Sequence, residues 1–397
     1  MRYILQRMRR FCGYIAGFVF YISGILKLLD PVGAGLVMDE YYSFLHLGFL
    51  SFSSKIVGVL FAFAETVIGT SLITGIWRKM TGLVAMIFQG FFTLLTLILV
   101  IFNPEMDCGC FGEAVHLTHM QTFLKNLVIL FLLSCAFIPF RGLGKPRKKK
   151  FVSFGLVTAS TLVFTIYSWM YIPLMDFTDY KVTSRLQAAE TMDVSEEDIY
   201  EAIFIYEKDG EQKEFDLMHL PDSTWTFVST ETRLKEEYQD NTITLSIYDS
   251  EGNYLDSLAA EGKVMVISVY DPDINSKRWE AMTTLVQNAS EAGFKPLVLV
   301  AGTSEDIPEG LSDEVMSRIY FSDYKTLIAM NRSNGGVVYF SDGYLIRKWA
   351  RRAAPDMEGL QALATEAETE TMIGHTTQGS LVFQSFLLYV FAVMLLM

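Results

Sequence analysis

Five runs of this chain, residues 11–29, 55–77, 80–102, 122–140 and 151–175, stay apolar for long enough that each would cross a bilayer as a helix. A helix needs about 20 residues to traverse about 30 Å of hydrocarbon. In lipid, only a helix or a closed barrel satisfies its own backbone polar groups. The repeated runs therefore predict a polytopic helical membrane protein. A sixth run, 381–397, is shorter and is interrupted by Gln384 and Ser385. It reads either as a further span or as an apolar tail packed on a partner. The first run follows Arg2, Arg7, Arg9 and Arg10, as a signal peptide would, but no small-residue cleavage site follows it and more spans do. An uncleaved first helix is expected.

Charge separates the chain into two kinds of segment. Residues 1–175 carry a net +8 and residues 176–397 a net −21. A basic, apolar first part joined to an acidic second part reads as a membrane domain plus an aqueous domain. With 51% hydrophobic and 19% charged residues, the chain is neither an ordinary cytosolic enzyme nor disordered. Four cysteines are too few for a disulfide framework. The acidic excess argues against a nucleic-acid partner.

Lys and Arg beside the spans set the expected orientation. The N-terminal arginines, Arg78 with Lys79, and the run from Arg141 through Lys150 fall on one side by alternation, which is then cytoplasmic. Segments 30–54 and 103–121 fall outside, and the fifth span delivers residues 176–380 to that same outer side. The expected setting is a bacterial inner membrane with the N-terminus in the cytoplasm.

Two polar residues sit deep in the spans. Glu65 and Gln89 both come near the midplane at about 1.5 Å rise per residue. A carboxyl there is costly, so Glu65 is expected to face the bundle interior. It either hydrogen-bonds Gln89 structurally or serves protons or a quinone headgroup. Lys27, at the end of the first span, is read as snorkelling outward.

The segment richest in chemistry is the loop Asn103-Pro-Glu-Met-Asp-Cys-Gly-Cys-Phe-Gly112. Cys108 and Cys110 flank one glycine. A disulfide between them closes a small ring that needs unusual torsions, which Gly109 permits. Such a bond is easily reduced, which suits a relay better than a staple. Two alternatives stand beside it: an inert structural pair, and a metal site of Cys108, Cys110, His116 and His119. Against metal, Thr118 and Gln121 read as a capping box that places His119 in the first turn of the fourth span. Cys12 and Cys135 are read as small apolar packing residues.

Gly24-Ile-Leu-Lys-Leu-Leu-Asp-Pro31, Glu65 with Gly69 and Gly75, Asp107-Cys-Gly-Cys-Phe-Gly112 and Lys125-Asn126 together resemble the MauE/DoxX family of redox-associated membrane proteins. The resemblance covers about the first 140 residues. It implies a four-helix membrane bundle. In the namesake branch it also implies a part in disulfide formation during maturation of methylamine dehydrogenase.

In the acidic part, Ala202–Tyr206 and Glu214–Leu217 flank Lys208-Asp-Gly-Glu211, a hairpin signature. A strand at 243–248, a turn at 249–252 and Gly262-Lys263 precede the apolar run 264–269. A helix near 276–292, strands at 296–300, 337–340 and 344–349, and a closing helix from Pro355 follow. That order resembles the thioredoxin-like fold of the peroxiredoxin/TlpA type. Where that family carries its redox cysteines this chain has Tyr270-Asp-Pro-Asp-Ile-Asn-Ser276, and where a cis-proline is usual it has Gly335-Gly336. Without cysteine this domain cannot perform thiol chemistry, so it reads as a docking or scaffolding element. His219, His375 and the acidic stretch 366–370 read as surface groups.

The expected organisation is a four-helix membrane domain (1–140), a basic loop and fifth helix (141–175), a linker with a β-hairpin (176–240), a thioredoxin-like extracytoplasmic domain without redox cysteines (241–370), and a candidate terminal span (380–397). The expected activity is a membrane thiol–disulfide relay through Cys108 and Cys110. An envelope redox protein or client would dock on the thioredoxin-like domain, and a quinone is a candidate second acceptor. The competing expectations are a non-catalytic anchor or assembly scaffold and a metal-handling protein.

Overall fold

The computed structural model describes residues 2–104, 106, 108–140, 148–187, 200–208, 211–215, 220–221, 224–234, 242–308 and 310–396. Glu105, Asp107, the first part of the basic loop (141–147), most of the linker (188–199), the Asp209-Gly210 turn and His219 lie outside the described residues, as does the His375 side chain. The chain divides into two units, Met1–Phe177 with Thr376–Met397, and Thr178–His375.

The first unit is helical. Its elements are α1 (Arg2–Leu29), α2 (Pro31–Phe44), α3 (Ser54–Thr74), α4 (Arg78–Phe102), a short extended segment β1 (Cys110–Glu113), α5 (His119–Phe137) and α6 (Lys148–Met170). Among the described residues, six helices are long and apolar enough to cross a membrane: Gln6–Leu29, Gly48–Thr74, Arg78–Phe102, His119–Phe137, Lys148–Met170 and Glu368–Leu395. The terminal apolar run is therefore the end of one long helix. Its residues pack on α6, with Phe386 stacked on Phe164 at 4.7 Å between centroids and the Val393 carbonyl accepting from Ser153 Oγ at 2.7 Å.

In lipid no hydrophobic force pulls apolar helices together, so their packing depends on close backbone approach. The α1–α3 crossing uses glycine for it. A Cβ at Gly24 would lie 2.7 Å from the Ala62 carbonyl oxygen, and one at Gly69 would lie 2.5 Å from the Tyr21 amide nitrogen. Beside this crossing, Ala16, Phe20, Leu72, Ala85, Ile129 and Leu133 form a buried cluster joining α1, α3, α4 and α5.

Segment 30–54, which the sequence reading places between the first two spans without assigning it a structure, is mostly helical. Asp30 caps α2, accepting from the Val32 and Gly33 amides at 3.2 and 2.9 Å, and Pro31 fills the first position. Proline there loses no hydrogen bond and its fixed φ suits a helix start. The Asp-Pro pair was the available signal; the glycines that follow obscured it.

The second unit is α/β. Its seven-stranded sheet contains β2 (Arg185–Leu186), β6 (Thr242–Ile243), β7 (Lys263–Val269), β8 (Lys295–Val300), β9 (Ile319–Phe321), β10 (Gly336–Ser341) and β11 (Tyr344–Trp349), in the order β6-β2-β11-β10-β7-β8-β9. Between β7 and β8 runs α7 (Ser276–Glu291), capped by Asn275, whose side chain accepts from the Arg278 amide. The β7–β8 pair is parallel, and β10–β11 is an antiparallel hairpin beside β7. Helices α8 (Tyr324–Met330) and α9 (Met357–Thr365) complete the layers, and α10 (Glu368–Leu396) follows.

Strand alternation assigns the faces. Val264 and Val266 pack with Leu297, Leu299, Val338, Phe340 and α8 residues Leu327 and Met330. Met265 and Ile267 face the other way, with α7 and α9 supplying Trp279, Val286, Ala289 and Leu360. Both faces are covered, so β7, β8 and β10 read as unbroken apolar runs. A separate three-stranded sheet, β4-β3-β5, is built from Glu211–Phe215, Tyr200–Lys208 and Thr226–Leu234. Strand 243–248 is shorter than expected: β6 ends at Ile243. Beyond it, Asp256 holds the backbone, accepting from Leu245 and Ile247 at 3.1 and 2.7 Å.

Candidate thiol site

Both ends of the cysteine loop are fixed by caps. Asn103, in the left-handed region at φ 44°, ends α4. Thr118 begins α5 through the expected capping box, accepting from the Gln121 amide at 3.2 Å while Gln121 Oε1 accepts from the Thr118 amide at 3.0 Å. The box places His119 at the first position of the helix. Its imidazole turns back to the loop, with Nδ1 2.9 Å from Cys108 Sγ and Nε2 2.9 Å from the Pro104 carbonyl oxygen. A carbonyl only accepts, so Nε2 carries a hydrogen, and Nδ1 is the ring nitrogen that faces the thiol. One imidazole thus bridges a thiol and a main-chain carbonyl.

The thiols differ in setting. Cys108 is 4% exposed and packs with Tyr41 and Leu99, whereas Cys110 is half-buried. Tyr41 Oη donates to the Cys108 carbonyl at 3.0 Å and Ser23 Oγ donates to the Cys110 carbonyl at 2.6 Å. Burial, then the neighbouring Cys110 and Cys108, pushes the Tyr41 phenol well above its ordinary range, so it stays a donor. Gly109 adopts φ 56°, and a Cβ there would collide with Val37 of α2. No other residue type meets both demands without strain.

Cys110 lines a cavity of about 30 Å³ with Ser23, Lys27, Glu65, Gln89 and Asn126. Lys27 Nζ lies 2.6 Å from Glu65 Oε2, and the two side chains are 19% and 13% exposed. The expectations that Lys27 snorkels away and that Glu65 bonds Gln89 are both corrected by this ion pair. An unpaired carboxylate at such depth would be far costlier. Gln89 Nε2 donates instead to the Asn126 carbonyl at 3.4 Å, tying α4 to α5.

The four-ligand metal set is not assembled. Cys108 and His119 come together, His116 is exposed, and among the described residues no three His, Cys, Asp or Glu side chains converge. Cys12 packs against the α1/α5 cluster. Sequence reasoning placed the two cysteines at the centre but missed Ser23, Tyr41 and Lys27 as their surroundings, and treated His119 only as a ligand. An i, i+4 pair, Ser23 and Lys27, on one helix face was the available clue.

Residues 5–139 match the family described as Methylamine utilisation protein MauE, and residues 200–237 match a domain of unknown function, DUF8463. Protein TlpB of Flavobacterium psychrophilum is 26% identical over 165 residues, which is 40% of this chain and 43% of the relative. The chain thus spans under half the length of that relative. No solved structure matches. With six apolar helices among the described residues and a MauE match confined to residues 5–139, the chain is a multi-pass membrane protein whose first part is similar to MauE.

Proposed function

We propose that this protein is a membrane thiol–disulfide relay working through Cys108 and Cys110. The observation that carries the reading is the 2.9 Å contact of Cys108 Sγ with an imidazole nitrogen whose ring is held by the Pro104 carbonyl. The thiolate is the reactive species in exchange, so a base at that distance has a chemical use that packing alone does not need.

The more open Cys110, having given its proton to solvent, attacks a disulfide of a partner protein as the thiolate. The partner's S–S bond breaks, one partner sulfur leaves as a thiolate, and the other is held in a mixed disulfide with Cys110. His119 takes the Cys108 proton, and the Cys108 thiolate attacks Cys110 Sγ. The partner leaves as a thiolate and the Cys108–Cys110 disulfide closes. One partner disulfide is reduced and two thiols are oxidised; run backward, the same steps oxidise the partner. Returning the pair to its starting state needs a second two-electron carrier, for which we propose a membrane quinone. The cavity beside Cys110, at about 30 Å³, has room for a water molecule but not for a quinone ring, and it is lined by the Lys27–Glu65 pair.

In this reading the cysteine loop and residues 176–380 face the outer side of a bacterial inner membrane, where oxidation is favoured. The thioredoxin-like part holds the envelope partner near the relay without reacting itself. The test is differential alkylation of Cys108 and Cys110 in intact cells, under growth with added oxidant or reductant. A pair that shifts between thiol and disulfide supports the relay. A pair permanently in one state leaves a structural clip on a membrane scaffold.

A further inference from the structure

At the opposite end of the bundle from the cysteine loop, a cavity of about 50 Å³ is lined by Arg9, Arg10 and Arg78 together with Tyr14 and Thr81. Arg9 donates to the carbonyls of Ala136, Phe137 and Pro139 at 3.0, 3.1 and 2.7 Å, and Arg78 Nε donates to the Gly75 carbonyl at 3.2 Å. These carbonyls help to orient the Arg9 and Arg78 guanidiniums at the cavity wall. Arginine does not lose its proton. Three positive charges therefore surround one cavity, and among the described residues no Asp or Glu lines it.

Tyr14 also lines a second, larger cavity of about 460 Å³. Its other walls are apolar, Ile15, Phe18, Ile73 and Phe391 among them, and its single charged wall is Lys150, whose Nζ bonds the Met394 carbonyl at 2.8 Å. A cationic cavity and an apolar one meet at a single tyrosine, at the end of helices that cross a bilayer. This pair of compartments matches an amphiphile carrying a phosphate at one end and hydrocarbon at the other.

We propose that the two cavities together form a binding site for an anionic phospholipid. The headgroup phosphate is held by Arg10 and Arg78, and one acyl chain runs past Tyr14 along Ile15 and Phe18. Basic pockets between membrane helices suit such headgroups, and the planar guanidinium fork matches phosphate oxygens. Neither the cysteines nor the ion pair at the other end takes part, so the site stands apart from the relay.

The full-length chain, delipidated in dodecyl maltoside, is titrated with dioleoyl phosphatidylglycerol or dioleoyl phosphatidylcholine, with binding read by native mass spectrometry. Phosphatidylglycerol is expected to bind at least about ten-fold more tightly. Each basic group near a membrane surface is worth about five-fold, so Arg10→Gln with Arg78→Gln should weaken it by about 25-fold. Phosphatidylcholine binding should hardly change. Arg10→Lys with Arg78→Lys, which keeps the charge, should retain the preference and shows that the site tolerates substitution. Ile15→Trp with Ile73→Trp, which fills the apolar compartment, should weaken both lipids. Equal binding of the two lipids, or a preference that survives the double Gln variant, overturns the proposal. Displacement of phosphatidylglycerol by millimolar inorganic phosphate, with no effect of the Trp pair, also overturns it and leaves a site for a free anion.

Discussion

Replacing His119 tests the thiol site most directly. In His119→Ala the imidazole that faces Cys108 Sγ at 2.9 Å is lost, while the capping box at Thr118 and Gln121 stays intact. A hydrogen bond to a charged group contributes about 1.5–3 kcal/mol. At about 1.4 kcal/mol per decade, forming the Cys108 thiolate then becomes about 10- to 150-fold harder. The assay is the second-order rate of Cys108 with methyl methanethiolsulfonate in a background of Cys12→Ser, Cys110→Ser and Cys135→Ser, followed by mass spectrometry. The His119→Ala rate should fall by that factor near pH 7 and converge on the parent rate at strongly alkaline pH, where the thiol ionises unaided. Removing a ring that touches the sulfur can only increase access to a residue 4% exposed, so a fall in rate reports the chemistry. A ratio below about two across the whole range would show that the imidazole only packs there, and the base role would fall with it.

Gly24→Ala or Gly69→Ala should lower the thermal midpoint in detergent by the equivalent of about 1–3 kcal/mol, because the added methyl meets backbone on the partner helix; an unshifted midpoint would mean that the α1–α3 crossing is looser than described. Lys27→Met or Glu65→Gln alone should cost about 3–5 kcal/mol by stranding or weakening a buried charge, whereas Lys27→Met with Glu65→Gln together should cost clearly less; the comparison is a double-mutant cycle on detergent unfolding. In the α/β unit, burial raises the Tyr270 and Tyr339 phenols to about 12 each. The unfolded chain releases those protons from about pH 10 while the folded one keeps them, so stability should be full below about pH 10 and fall steadily between about pH 10 and 12. Tyr270→Phe with Tyr339→Phe should flatten that decline, as followed by urea unfolding at stepped pH.

Much of the fold is legible because membrane spans and fully covered strands are written as long apolar runs. Residues 264–269 and 344–349 are strands as expected, and the helix expected near 276–292 is α7. Asn275, Gly262 and the Asp342-Gly343 turn punctuate them with identifiable backbone needs. The helix after Asp30 was hidden because Gly33 and Gly35 lower helix propensity, a preference overridden here by close packing against α3 and the loop. The partners of the cysteines were hidden for a different reason. Ser23 and Lys27 lie on α1, Tyr41 on α2 and Glu65 on α3. Local spacing names no partner in a different helix, so only the three-dimensional crossing makes these residues neighbours. Conversely, the capping box put His119 in its place without any tertiary information, since that motif is entirely local.

Two hydroxyl groups on separate helices, Ser23 and Tyr41, grip the main-chain oxygens on either side of Gly109. The sulfur atoms are thus mounted on a clamped frame whose compliant joint is one glycine. Making or opening a link between them turns side-chain torsions and that joint, and the helices need not travel. In the proposed relay, such a hinge would let the pair open and close within an otherwise stationary bundle.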